Sequence, residues 1–161
     1  MLDYLKKNFF INLLIIMIIF SLDRISKFYV ILKSEINLSS GLYTSKFLNI
    51  NLIWNEGIAF GLFSFQQKMY YNILTTVIIL ITLIILWMIT RTKGLEKLSF
   101  IMIFGGSIGN IFDRIYYSAV PDFIDFHINN FHWFIFNVAD IFISLGVILL
   151  IIIEITLKNK T

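Results

Sequence analysis

The chain has 161 residues, 58% of them hydrophobic and only 14% charged, with a mean hydropathy of +0.86. A soluble domain carries about 25% charged residues, so this composition excludes an ordinary water-soluble globule and points to an integral membrane protein. A net charge of +3, with no basic block beyond paired lysines, gives no support to a nucleic-acid partner, and the lack of cysteine excludes thiol nucleophiles, thiolate metal sites and disulfides.

Four apolar stretches have the roughly 20 residues that a spanning helix needs: about 9–29, 69–89, 98–115 and 138–157. The third is the weakest and carries GGSIGN. The first does not read as a cleaved signal peptide, because Asp-Arg follows it where small residues would be required. Residues 1–161 read as one unit, since no linker, repeat or low-complexity block divides them.

Basic residues set the orientation. Lys6 and Lys7 precede the first span, Arg91, Lys93 and Lys97 fill the second connection, and Lys158 and Lys160 follow the last. An even number of spans puts all of them, and both termini, on the cytoplasmic side. Segments 32–68 and 116–137 then lie on the outer face, where Lys33, Lys46 and Lys68 weaken the bias without reversing it. FLNINLIW and IAFGLF, broken by Asn-Glu-Gly, predict a small hairpin there. The expected fold is an all-α membrane protein of four transmembrane helices with a small β-element on its outer face.

This topology gathers Asp23, Asp113, Asp122, Asp125 and Asp140 at one end of the bundle. Acids beside hydrocarbon are costly and mark candidate sites. In FNVADIF, Asn137 is placed as an N-cap and Asp140 three residues later as its capping-box partner, a purely structural reading that stands beside a functional one. In VPDFIDF, strand alternation sends Asp122 and Asp125 to opposite faces, so one of them points towards Asp140 and the other reads equally well as a solvated loop acid. Pro121 fixes the backbone just before Asp122 and removes an N–H beside it.

Asp113 and Arg114 point different ways around a helix, so each is expected to pair elsewhere, with Asp23, Arg24 or Lys27 as candidates. Structural glue suffices for them, and Arg24 and Lys27 can equally snorkel to lipid headgroups. In WNEGIAFG, Gly57 and Gly61 suggest a turn and Asn55 offers both donor and acceptor.

Two acids brought together share a proton, so that one serves as base towards water and the other as acid towards a carbonyl, as in aspartic proteases. Such a pair needs no metal or other cofactor. The two histidines, His127 and His132, form no HExxH string, and nothing suggests a Ser–His arrangement.

The ordered set DRISK, WNEGIAFG, GGSIGNIFDR, VPDFIDF and FNVAD resembles the lipoprotein signal peptidase family (signal peptidase II) over nearly the whole chain. The resemblance implies a monomeric aspartyl endopeptidase of the bacterial cytoplasmic (inner) membrane. Its partners would be membrane lipid and lipid-modified prolipoproteins, whose signal peptide it would cut just before a diacylglyceryl-modified cysteine. By the same resemblance Asp122 and Asp140 would be the catalytic pair. Asn55, Gly57, Asn110, Arg114 and Asn137 would line the substrate groove, and Asp23, Lys27 and Asp113 would be supporting polar positions. Two departures stand out: Asp23-Arg24 where Asp-Gln is usual, and Pro121 for the second Val of V-V-D-F. The alternatives are a proton- or cation-coupled transporter relaying through the aspartates, which would hold them near mid-membrane, and a non-enzymatic scaffold.

Overall fold

The computed structural model describes residues 2–36, 41–57, 67–129 and 131–158. Helix α1 (Leu2–Ile36) leads into strands β1 (Tyr43–Thr44) and β2 (Leu48–Asn55). Helices α2 (Gln67–Arg91) and α3 (Gly94–Tyr117) follow, then β3 (Val120–Ile128), β4 (Phe131–Phe136) and helix α4 (Val138–Lys158). Four helical segments, Phe9–Ile36, Met69–Arg91, Gly94–Tyr117 and Val138–Thr156, are long and apolar enough to cross a membrane.

The sequence reading ended the first span near residue 29, where polar residues accumulate. The helix instead continues to Ile36, because Asp23 and Lys27 turn inward and are satisfied by other helices. Their polarity therefore does not stop the helix. Helix α1 also contacts β2 and β3 of the sheet.

Helix α3 is the hub. It packs on α1, α2 and α4, and half of its apolar window is buried inside the protein, against 11–17% in the other three spans. This explains its weak apolar signal, since a helix surrounded by protein need not be greasy all round. Apolar lipid gives no hydrophobic drive for helices to associate, so close packing of small residues must supply it. At Gly106 a Cβ would lie 2.5 Å from the Ala139 carbonyl oxygen, and at Gly109 it would lie 2.7 Å from Asp23 Oδ2. These two absences of side chain let α4 and α1 close on α3. Further along, Ile89, Phe100, Ile101 and Ile103 form the buried apolar core.

The four strands form one antiparallel sheet in the order β1-β2-β3-β4. Its strands come from the α1–α2 and α3–α4 connections, so it caps the end of the bundle where α3 finishes and α4 begins. Among the described residues β2 pairs with β1 and β3, and the hairpin expected from FLNINLIW and IAFGLF falls partly outside them. Residues 58–63 (IAFGLF), with Gly61, lie outside the described residues, as do the side chains of Lys6, Lys7, Lys68 and Lys158 and all of Lys160. VPDFIDF lies in β3, one of the two inner strands. Pro121 sits opposite Trp54 in the part of β3 that β4 does not flank, where a missing N–H costs the ladder little.

Candidate active site

The site is built on the N-terminus of α4. Asn137 is its N-cap: the Asp140 N–H donates to Asn137 Oδ1 at 3.2 Å, and the Asn137 N–H donates to Asp140 Oδ2 at 3.1 Å. This reciprocal box satisfies two amides that a helix start otherwise leaves open. A third, the N–H of Ala139, donates to Asp23 Oδ1 from α1 at 3.0 Å. Two acids at the positive end of the helix dipole are favourably placed.

Asn137 also reaches the sheet. Its Nδ2 donates to Asp122 Oδ1 at 2.6 Å, and Asn55 Nδ2 donates to Asp122 Oδ2 at 2.9 Å. The Asn55 Oδ1 accepts from the N–H of Gly57, whose φ of 82° suits a glycine, so the turn after β2 locks the amide that holds Asp122. Asp122 is buried. Burial raises its carboxyl above the ordinary range. The Asn55 and Asn137 amides oppose that shift, the nearby Asp140 charge adds to it, and Lys27 opposes it.

Asn110 on α3 completes the link. Its Nδ2 donates to Asp140 Oδ1 at 2.8 Å, while its Oδ1 accepts from Asn137 Nδ2 at 3.2 Å and Lys27 Nζ at 2.9 Å. Lys27 in turn donates to Asp113 Oδ2 at 2.6 Å and lies 2.9 Å from Asp23 Oδ1. Arg24 donates to both Asp23 and Asp113, with Nη2 2.7 Å from Asp113 Oδ2. Two acids and two cations thus form a neutral, inward-facing cluster with Asp23, Asp113 and Lys27 fully buried. The cations do not snorkel. Arg24, the departure from the usual Gln, supplies the second positive charge.

The five expected aspartates therefore divide. Asp122 and Asp140 meet through Asn137 and Asn110, and Asp23 and Asp113 belong to the ion cluster beneath them. Asp125 is neither at the pair nor in water: it is buried beside His132 Nδ1 at 2.8 Å and within 3.4 Å of Asn49 Nδ2. Arg114 departs from expectation. Among the described residues it makes no ion pair; its Nη1 donates to the Asn110 carbonyl of its own helix at 3.1 Å, and its buried Nε has no partner. The sequence reading missed the grouping of Asn49, Asp125, His127 and His132. Its signal was present, because residues 125 and 127 are two apart in a strand and so share a face.

Asp140 also borders a cavity of about 810 Å³, walled by Phe126, Phe134 and Phe136 from the sheet and by Ile141 and Leu145 from α4. An acid beside an apolar groove is suited to presenting a polar bond of an otherwise greasy ligand to two carboxyls.

Residues 15–156 match the sequence profile of the family described as Signal peptidase (SPase) II. The lipoprotein signal peptidase of Pelagibacter ubique (strain HTCC1062) is 49% identical over 154 residues, covering 96% of this chain and 93% of that one. That of Anaplasma phagocytophilum (strain HZ) is 34% identical over 154 residues, covering 93% and 95%. A solved structure titled as a bacterial membrane enzyme, obtained by the in meso method at 2.3 Å resolution, superposes with a TM-score of 0.69 at 28% identity, covering 93% of this chain and 91% of that one. With a profile match across most of its length and a near-full-length relative at 49% identity, the chain belongs to the signal peptidase II family of aspartic peptidases and is a multi-pass bacterial membrane enzyme.

Proposed function

We propose that this enzyme removes the signal peptide from diacylglyceryl-modified prolipoproteins, cutting just before the lipidated cysteine with a water activated between Asp122 and Asp140. The observation that carries the assignment of the pair is Asn137, which donates to Asp122 and shares a capping box with Asp140, so that both acids are positioned by one residue. Asp122, buried and raised in pKa, holds the shared proton at rest and gives it to the scissile carbonyl. Asp140, half-buried and bordering the cavity, takes a proton from water. On collapse of the tetrahedral intermediate the C–N bond breaks, Asp140 gives its proton to the leaving amine and Asp122 takes one back from a hydroxyl of the intermediate, which restores the dyad.

Asn55, Asn110 and Asn137 steady the acids, Gly57 holds Asn55, and the cluster of Asp23, Lys27 and Asp113 fixes α1, α3 and α4 relative to one another. Arg114, one helical turn from Asn110 on α3 and with an unpartnered Nε, is assigned to the substrate backbone. The apolar groove receives the signal helix and the acyl chains. We also propose that both termini are cytoplasmic, that the sheet and the pair lie at the outer face, and that the enzyme acts as a monomer. The transporter reading finds no support, since Asp113 lies near the end of α3 and Asp140 in the first turn of α4, at the sheet end of the bundle.

The test of the substrate class compares a diacylglyceryl-modified prolipoprotein with its unmodified form in detergent. Cleavage confined to the lipidated form is expected, and equal cleavage of both would remove the lipid from the recognition. Labelling of single cysteines placed at Ser118 and Thr92 tests orientation: the outer reagent is expected to reach only the first.

A further inference from the structure

Away from the proposed pair, three metal-ligating side chains stand together on the β3–β4 hairpin. Asp125 and His127 are two apart on β3, and His132 on β4 is in register directly across from His127. A register shift between Asp125 and His127, where β4 spends one residue more than β3, brings His132 diagonally to Asp125. One carboxylate oxygen and one ring nitrogen from each histidine lie within 4.8 Å of one another. The two imidazoles stack with centroids 5.1 Å apart and planes 22° apart.

The hydrogen bond from His132 to Asp125 accounts for those two residues alone. It leaves His127 unexplained, for its Nδ1 is shielded from solvent and has no hydrogen-bond partner among the described residues. A buried ring nitrogen without a partner calls for a ligand. We propose that Asp125, His127 and His132 form a binding site for a divalent transition ion of the zinc class, separate from the peptidase chemistry. Two imidazoles with one carboxylate suit zinc and its neighbours, whereas calcium and magnesium demand oxygen ligands. Tetrahedral zinc with bonds of about 2.0–2.2 Å sets its donors roughly 3.3 Å apart, so the donors, now within 4.8 Å of one another, must close towards that spacing. His132 is the arm that moves, its side chain 52% exposed, while Asp125 is held within the sheet at 8%. A water completes the fourth position.

The ion would tie β3 to β4 across the hairpin whose His127 and aromatic residues border the groove leading to Asp140. Its role is to hold that wall, and it touches neither acid of the proposed pair.

The test uses full-length enzyme in detergent, purified through a tag without histidine, stripped with chelator and titrated with zinc chloride by calorimetry. One equivalent is expected to bind, with the melting temperature rising as zinc is added. His127→Ala and His132→Gln are each expected to weaken binding by at least about tenfold, since even groups that only orient metal ligands are worth about 10–100-fold. His132→Gln retains a donor towards Asp125, and melting without zinc checks that both variants fold. Asp140→Asn is expected to bind zinc like the wild type. No uptake at 100 micromolar zinc, or equal uptake by a folded His127→Ala/His132→Gln double variant, would overturn the site.

Discussion

Asn137 and Asp140 satisfy each other twice at the start of α4, through N–H to carboxylate at 3.1 Å and N–H to amide oxygen at 3.2 Å. The side-chain nitrogen of Asn137 is thereby left to donate to Asp122. A helix cap and the alignment of the two acids are thus one structure, so under the proposed mechanism stability and activity meet at this residue.

Asn137→Ala separates the two effects by size. Loss of an N-cap costs about 1 kcal/mol, while a misplacement of about 1 Å at reacting groups costs roughly a hundredfold in rate. Turnover is therefore expected to fall far more than the folded fraction, as measured by melting and by cleavage of the same preparation.

The raised pKa of Asp122 gives a pH signature in stability. An acid whose folded pKa lies above its unfolded value of 3.8 contributes stability that is present below the unfolded pKa and lost as pH rises through the folded one. Asp122→Asn removes this dependence. Its melting temperature minus that of wild type is expected to become more positive from strongly acidic to neutral pH, and a difference that falls with pH would contradict the shift.

The ion cluster ranks two substitutions. Lys27→Met leaves Asp23 and Asp113 short of a buried partner and removes the donor to Asn110, and breaking a buried pair costs about 3–5 kcal/mol. Arg24 is 20% exposed, and Gln retains a donor towards the acids. Arg24→Gln is expected to lower the melting temperature less than Lys27→Met does.

The helices and the meeting of acids at one end were legible because hydropathy, basic residues and the Asn137–Asp140 spacing are local signals. The sheet was less so. β2 pairs with β3 across some 70 positions of sequence, for example Asn49 with Asp125, and alternation within a segment does not name its partner. FHWFIF (131–136) gave no alternating pattern, so β4 went unread. Burial of Lys27 was hidden because an isolated Lys near a helix end reads equally well as reaching for headgroups. Its acids, Asp23 and Asp113, lie on two helices.

Gly106→Ala tests the approach of α3 to α4. The new Cβ would meet a backbone oxygen of Ala139 at 2.5 Å and Ile143 Cγ1 at 2.8 Å, neither of which yields cheaply. A loss of about 1–3 kcal/mol is expected, with a fall in turnover as Asn110 and Asp140 are pushed apart.

Cleavage of a diacylglyceryl-modified prolipoprotein by wild type, Asp122→Asn, Asp140→Asn and Asp125→Asn, each shown by melting to be folded, bears most directly on the central proposal. Turnover is expected to vanish in the first two variants and to persist in Asp125→Asn, whose carboxylate faces His132 rather than the pair. Full cleavage by folded Asp122→Asn or Asp140→Asn would contradict the dyad and return both acids to capping and packing.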